Sequence, residues 1–512
     1  MPEMCLHAES WDANSIVVNE MKPKIILYHP KSNPGGKAIL PMPLLAVGSM
    51  LENEFEYTIV DSNTTNDPVR VMDELIREQG YNVIGTSVMP GPQLVEAVND
   101  TRELKKRQPH VQMVWGGYFP TQHSDTILAA DYIDYTVRSQ GELTMLELMR
   151  TLRDGGDIGA IKGMSWKKNG TIQHNPLREL TSPDKLPDWP YQKLDMPRYL
   201  NRNYMGSRVL EHHSSFGCPF ACNFCAVVSM SNRRWLPQSP ARLESVFRKL
   251  RDQYNADAVN FHDMDFFVSE ARTAEFAERV RSLGMHWWGL GRVDTLLAYK
   301  DSTWEKMKAS GLKMIFSGAE SGSDEILHRM NKGGKASTHA TLEYVKRAKA
   351  FGIVPELSFV MGNPPDPMQD IRVTMEFIRE AKRLNPATEI ILYIYTPVPL
   401  DGNLFNTARE YGFKFPETLE EWTTGHWKEF SLRRTPGVPW LDKRALKLVR
   451  DFEAVVNAYY PTVTDIKLRG LKRQFSRAIA SWRYYFEFYD YPLELKAWQK
   501  LVHYQRPETT GF

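Results

Sequence analysis

A chain of 512 residues, 42% hydrophobic and 25% charged, has globular proportions and length enough for about three domains. The aliphatic and aromatic content is too high for a disordered chain, and the longest apolar runs fall well short of the ~20 residues that span a bilayer. Lys and Arg number 64 against 62 Asp and Glu, and this +2 balance gives no reason to expect a nucleic-acid partner. The N-terminal MPEMCLHAESWDANS shows no basic region followed by an apolar one, so no secretory signal is expected there. Only 4 Cys occur, far too few for a disulfide scaffold, and the expectation is a cytoplasmic, reducing compartment.

Residues 22–155 alternate short apolar runs with amphipathic stretches. Strands are expected over Lys24–Tyr28, Tyr57–Val60, Val83–Ser87, Val111–Trp115 and Tyr132–Val137, with helices over Leu44–Glu54, Val69–Glu78, 93–107 and Glu142–Leu152. This pattern reads as a doubly wound open sheet, whose ligand crevice lies at the C-terminal strand ends. Small or polar residues stand there: Ser87, Gly116, Gly117 and the Ser139-Gln140-Gly141-Glu142 turn. Paired glycines after a strand let a ligand come close to the backbone. No G-x-G-x-x-G fingerprint is present, so a nicotinamide dinucleotide is not expected. His29 and His123 read as exposed or loop histidines.

Residues 156–205 carry scattered Gly and Pro and read as a hairpin followed by an extended linker. From 206 to 400 the βα alternation resumes, with strands expected over Arg208–His213, Ala258–His262, His286–Leu290, Lys313–Ser317, Glu356–Met361 and Glu389–Tyr395. Helices are expected near 240–253, 270–283, 302–309, 323–350 and 368–384. The first of these strands is followed by Cys218-Pro-Phe-Ala-Cys222-Asn-Phe-Cys225, which gathers three of the four cysteines into eight residues. Zinc would accept three thiolates with His212 or His213, but structural zinc sites usually draw on two separated pairs, and no second pair exists. Three thiolates on one loop suit three irons of a [4Fe–4S] cluster, with the fourth iron open to an outside ligand. Buried inert thiols are the third reading.

After residue 400 the strand pattern ends. Leu446, Val449, Phe452, Val456 and Tyr459 recur at helical spacing, as do Leu471, Phe475, Ile479, Trp482 and Phe486. The second stripe also carries Lys472, Arg473, Arg477 and Arg483. Such a stripe ordinarily faces a core, while a basic amphipathic helix can instead lie on an anionic membrane. The aromatic density here is expected to cap the barrel and shape an apolar substrate pocket.

The Cys-x-x-x-Cys-x-x-Cys spacing, with Phe224 before its last cysteine, resembles the radical S-adenosylmethionine superfamily. The resemblance implies a partial (β/α)6 barrel with Cys218, Cys222 and Cys225 as catalytic cluster ligands, and Phe224 near the adenine of S-adenosylmethionine. The strand ends His262-Asp263-Met264-Asp265, Gly291-Arg292-Val293-Asp294 and Gly318-Ala319-Glu320-Ser321 look like the family's contacts with that cofactor. Asp263 is expected at its ammonium, Arg292 at its carboxylate, and Glu320 and Ser321 at its ribose or methionine groups. The competing reading makes Ser321 or Ser323 a helix cap and pairs Arg292 with Asp294.

Trp115-Gly116-Gly117-Tyr118-Phe119-Pro120-Thr121, Arg138-Ser139-Gln140-Gly141-Glu142 and Leu186-Pro187-Asp188-Trp189-Pro190 resemble the subfamily in which a cobalamin-binding domain precedes the barrel. Ser87, Gly116, Gly117 and Glu142 then become candidate cobalamin contacts, although the Asp-x-His-x-x-Gly motif of cobalamin mutases is missing. What the resemblance implies is methylation of an unactivated carbon of a small-molecule or lipid-like substrate, through a deoxyadenosyl radical and methylcobalamin. A flavodoxin- or ferredoxin-type electron donor is implied as well. A radical oxidation, cyclisation or ring-forming reaction is the alternative within enzymes; a non-catalytic cobalamin or iron–sulfur protein is the alternative outside them. The one remaining cysteine, Cys5, cannot by itself ligate a second cluster.

Overall fold

The computed structural model describes residues 22–32, 37–333, 335–400 and 403–504, so Cys5 lies outside the described residues. The first unit runs β1 (Ile25–His29), α1 (Met42–Leu51), β2 (Tyr57–Asp61), α2 (Pro68–Gln79), β3 (Val83–Ser87), α3 (Pro92–Arg107), β4 (Gln112–Gly116), α4 (Tyr118–Gln122), α5 (Ser124–Ala129), β5 (Tyr135–Val137) and α6 (Glu142–Asp154). Every residue of β1 is buried, as a strand covered by helices on both faces requires. A hairpin of β6 (Met164–Lys168) and β7 (Thr171–His174) completes a seven-stranded sheet ordered β2-β1-β3-β4-β5-β6-β7. The first five strands are parallel, and the hairpin adds antiparallel to β5. The hairpin expected in the linker therefore closes one edge of the first sheet.

An irregular connector leads to β8 (Val209–His212), then to the short antiparallel pair β9 (Ser215–Gly217) and β10 (Trp235–Pro237), with α7 (Val227–Ser231) between them. The barrel continues with α8 (Pro240–Tyr254), β11 (Ala258–Phe261), α9 (Glu270–Val280), β12 (His286–Gly291), α10 (Val293–Ala298), α11 (Asp301–Ala309) and β13 (Leu312–Glu320). It ends with α12 (Asp324–Arg329), α13 (Thr338–Ala350), β14 (Val354–Met361), α14 (Pro367–Leu384) and β15 (Glu389–Ile394). The six long strands pair in parallel in the order β15-β14-β13-β12-β11-β8, an open barrel sector with no described pairing between its ends. Ser239, Ser269, Ser323, Ser337 and Asp366 each accept the N-terminal amide of the helix that follows, and Pro240 and Pro367 open theirs. The single helix expected over 323–350 is broken in two, because the stretch around Gly333 leaves the helical path and Ser337 caps a second start.

The rest is helical: α15 (Asn403–Glu410), α16 (Leu419–Trp422), α17 (Gly425–Ser431), α18 (Lys443–Tyr459), α19 (Leu471–Tyr485) and α20 (Leu493–Leu501). The α18 stripe is buried against α14 and α19, as a core face should be. The α19 stripe is not: Leu471, Phe475, Trp482 and Phe486 are exposed, which overturns the core reading for that helix. Trp115 on β4, Trp287 on β12 and Trp304 on α11 lie fully buried. Truncating any of them to Ala would cost roughly 3–5 kcal/mol.

Candidate active site

The β9–β10 pair pinches the base of the loop that carries the cysteines. Gly217 has φ +81° immediately before Cys218, and a Cβ there would collide with Arg234 and Ser231, so only glycine fits. Asn223 donates to the carbonyls of Arg329 and Met330, and Asn331 donates back to that of Ala221, stitching the loop to the break between α12 and α13. Cys218, Cys222 and Cys225 are free thiols, with Cys222 buried and the other two half-buried. Burial pushes the Cys218 thiol up to about 12 and raises Cys225 too, each thiolate also opposing ionisation of its neighbours. Three clustered thiols are the donor set that an iron–sulfur cluster requires. Among the described residues no three His, Cys, Asp or Glu side chains converge on one point suited to a single ion. His212, the proposed zinc partner, is held instead by the Tyr191 hydroxyl at 3.3 Å and by Gln238 at 2.9 Å. A cluster accepts one thiolate per iron and needs them spread apart.

The barrel strand ends surround this loop. Asp263 is fully buried, and its carboxylate accepts from the Ser214 amide at 3.0 Å, the Ser214 hydroxyl at 2.8 Å and the Ser215 hydroxyl. Those bonds fix the chain entering the cysteine loop and engage both oxygens of the carboxylate that was expected at the ammonium of S-adenosylmethionine. Asp265 keeps one buried oxygen with no hydrogen-bond partner among the described residues. Burial pushes its carboxyl up to about 7, with Arg292 pulling it back. Asn363 Oδ1, at the end of β14, is likewise buried without a partner. These orphaned acceptors fit a cationic or hydroxyl-bearing ligand such as the ammonium or ribose of S-adenosylmethionine.

Arg292 pairs with Asp294 through two hydrogen bonds of 3.0 and 2.8 Å, as the structural alternative anticipated. It also donates to Cys222 Sγ at 3.4 Å, and its guanidinium lies 3.9 Å from the centre of the Phe220 ring. Register slips between β13 and β14 at Gly318–Glu320, leaving Glu320 with φ +66° and its side chain turned inward. There it pairs with Lys332 Nζ at 2.5 Å, and a Cβ at Gly318 would overlap that carboxylate. Lys332 also sits 5.9 Å from the Phe224 ring. Ser321 donates to Asp370 Oδ1 at 3.1 Å, while Ser323, not Ser321, caps α12. Asp370 in turn accepts from the amides of Gly362 and Asn363 at 2.8 and 3.0 Å, so one carboxylate ties the ends of β13 and β14 together.

The facing edge belongs to the first sheet. Ser87 ends β3 and Gly116 ends β4; Gly117 has φ +101°, and a Cβ on it would approach Ser87 Oγ to 3.1 Å. Glu142 opens α6, where burial raises its carboxyl against hydrogen bonds from its own amide and Gln140. His29 is a buried strand residue rather than an exposed one, and Gln93 lies 3.4 Å from its ring. The Ser139 hydroxyl donates to the Met230 carbonyl of α7, which joins this edge directly to the cysteine loop.

Between the two edges lies an open cleft. Tyr118 and His123 line it from the first unit, Thr396 and Val398 from the exit of β15, and Trp422 and Arg433 from the C-terminal region. Burial raises the Tyr118 hydroxyl, with Arg433 pulling it back and Cys225 adding to the rise, so the cleft lies beside the cysteine loop. His123 packs 4.8 Å from Phe119 and 4.9 Å from Trp422, and burial among them lowers its imidazole to about 4, keeping it neutral. Tyr118 stands in the segment that resembles the cobalamin-binding subfamily but was not singled out there, and His123 and Arg433 belong to no recognisable motif.

The radical SAM superfamily profile matches residues 213–378, and the B12 binding domain profile matches residues 36–149. The chain is 26% identical over 366 residues to an uncharacterized methyltransferase of Pyrococcus horikoshii, covering 70% of this chain and 78% of that one. Its fold matches the radical S-adenosylmethionine methyltransferase TsrM of Kitasatospora setae, solved with cobalamin and a [4Fe–4S] cluster, at a TM-score of 0.62 and 17% identity, covering 77% and 76% of the two chains. It also matches the cobalamin-dependent radical enzyme OxsB with aqua-cobalamin bound, at a TM-score of 0.64 and 15% identity, covering 94% and 76%. The two matched domains bring a [4Fe–4S] cluster, S-adenosylmethionine and cobalamin as cofactors. The chain belongs to the radical S-adenosylmethionine superfamily, in the branch whose barrel is preceded by a cobalamin-binding domain.

Proposed function

We propose that this enzyme methylates an unactivated carbon of a small, largely apolar substrate held in the cleft between Tyr118, His123, Trp422 and Arg433. The observation that carries the reading is the abutment of the first sheet's edge on the cysteine loop through Ser139 and Met230, with an aromatic-walled cleft beside it. When bound, the cluster supplies the electron that cleaves S-adenosylmethionine, and cobalamin carries the methyl group.

The chain's own residues hold and orient. Cys218, Cys222 and Cys225 would ligate three irons, and Arg292 would keep Cys222 in place. Asp265 would face the ammonium of S-adenosylmethionine, with Phe224 beside the adenine and the Glu320–Lys332 pair and Ser321 shaping the ribose side. Gly116 and Gly117 would let the corrin approach the backbone, with Ser87 and Glu142 at its margin. Arg433, which has no carboxylate partner among the described residues, would meet the substrate's polar end. His123, Phe119 and Trp422 exclude water from the reacting carbon. The reading also calls for an external one-electron donor and for a lipid surface against the C-terminal helices.

The test is reconstitution with hydroxocobalamin followed by methyl-labelled S-adenosylmethionine. Label on protein-bound cobalamin supports the reading. Protein that retains no cobalamin absorbance after gel filtration contradicts it.

A further inference from the structure

The helix α19 has two opposite faces with different fates. Ser476, Ala480 and Tyr484 are buried against the body of the protein. On the far side, Leu471 is 82% exposed, Phe475 51%, Trp482 47% and Phe486 81%. Their spacing of four, seven and four residues keeps them in one stripe about 60° wide at 100° per residue. The stripe continues onto α20, where Leu493 and Leu501 are exposed in turn. Trp482 stacks on Phe488 at 5.7 Å and Phe475 meets Trp498 at 4.7 Å, so the rings are held in place although exposed. Exposing large apolar side chains in one contiguous patch is costly unless something covers them.

Charge around the patch says what the cover is. Between Ile466 and Tyr504 stand eight Lys and Arg against three Asp and Glu. All three acids are already paired, Glu487 with Arg379, Asp490 with Lys447 and Glu494 with Arg483. Arg469, Lys472 and Lys500 are exposed and have no carboxylate partner among the described residues. The net field at the rim is therefore positive and unspent. A protein partner would be expected to meet charges in specific pairs; a sheet of anionic headgroups over an acyl layer needs only this apolar stripe with a cationic rim.

We propose that the α19–α20 face seats the enzyme on an anionic lipid surface, with the aromatic stripe at the headgroup boundary and Arg469, Lys472 and Lys500 on the phosphates. This rests on, and gives a location to, the lipid contact in the function above. The segment leading into α19 holds Thr464, whose amide reaches the Glu389 carboxylate at the start of β15, and α19 itself leans on Arg379 of α14. The face therefore lies on the barrel's flank, away from the strand ends that hold the candidate active site.

The experiment is cosedimentation of the full chain with phosphatidylcholine vesicles, with and without phosphatidylglycerol, at low and high salt. Binding to the anionic vesicles alone, released by salt, is expected. Both F475S/W482S and R469E/K472E should weaken it at least about tenfold, with thermal unfolding and cobalamin retention unchanged. Equal partition of wild type and both variants, or no uptake of wild type, overturns the proposal. So does a wild-type dimer in sedimentation equilibrium that F475S/W482S converts to monomer without any vesicle uptake, because a second copy would then be the cover. Cobalamin retention and deoxyadenosine release are read on the same samples, so failure at the vesicle leaves the methyl-transfer reading standing and failure of those two readouts leaves the lipid result standing.

Discussion

The Arg292 guanidinium donates to Cys222 Sγ at 3.4 Å while two of its other hydrogen bonds clasp Asp294. A fixed cation beside one of three clustered thiols lowers the cost of gathering negative charge there. Arg292→Gln removes that charge and keeps a donor. The expected outcome is a more negative midpoint potential for the reconstituted cluster, with slower deoxyadenosine release at a fixed reductant. Spectroelectrochemical titration checks it, and an unchanged potential would show that Arg292 only packs against Phe220.

Iron content separates the cysteines. Cys218→Ala, Cys222→Ala and Cys225→Ala should each lose cluster absorbance and deoxyadenosine release while keeping wild-type far-ultraviolet circular dichroism. Cys5→Ala should keep full iron and full turnover, since a lone thiol remote in sequence from the loop has no part in the site.

Glu320 and Lys332 form a buried pair 2.5 Å apart. Lys332→Met strands a carboxylate in a dry site and should destabilise the fold by about 3–5 kcal/mol. The double variant E320Q/K332M should recover most of that loss, because no charge is left uncompensated. Urea unfolding of wild type, E320Q, K332M and the double variant measures the coupling directly.

Stability should also depend on pH through Glu211, which is buried at the start of the barrel with one hydrogen bond, from the Leu40 amide. Burial raises its carboxyl to about 7. The folded state therefore binds a proton that the unfolded state releases, so this contribution is full below the unfolded value near 4.5 and is lost as pH rises through 7. Glu211→Gln removes the titration. Relative to wild type it should gain up to about 3 kcal/mol between pH 5 and pH 8, read as the difference in unfolding free energy. A pH-independent difference would place Glu211 in a wetter setting.

Strand positions were legible because a parallel strand covered on both faces is a mostly apolar run, as Ile25–His29 shows. The cysteine loop was legible because its spacing is local. Lys332 was not, since its meaning depends on a helix break that brings it to Glu320 across a β-bulge. Tyr118, His123 and Arg433 meet only when segments some 300 residues apart close one cleft, which no spacing encodes. Asp263 and Asp265 stand two positions apart in the irregular segment just past β11, yet the two serines after β8 claim Asp263 while Asp265 keeps a free oxygen. The α19 stripe shows the limit most plainly. Periodicity marks an apolar face, but only the neighbouring elements decide whether that face is core or surface.

The most direct test of the account is the release of deoxyadenosine by the anaerobically reconstituted protein, given S-adenosylmethionine and a low-potential reductant. The account predicts deoxyadenosine from wild type carrying its full iron complement, and none from Cys222→Ala. Wild type that holds a reducible [4Fe–4S] cluster and S-adenosylmethionine yet releases no deoxyadenosine would contradict it.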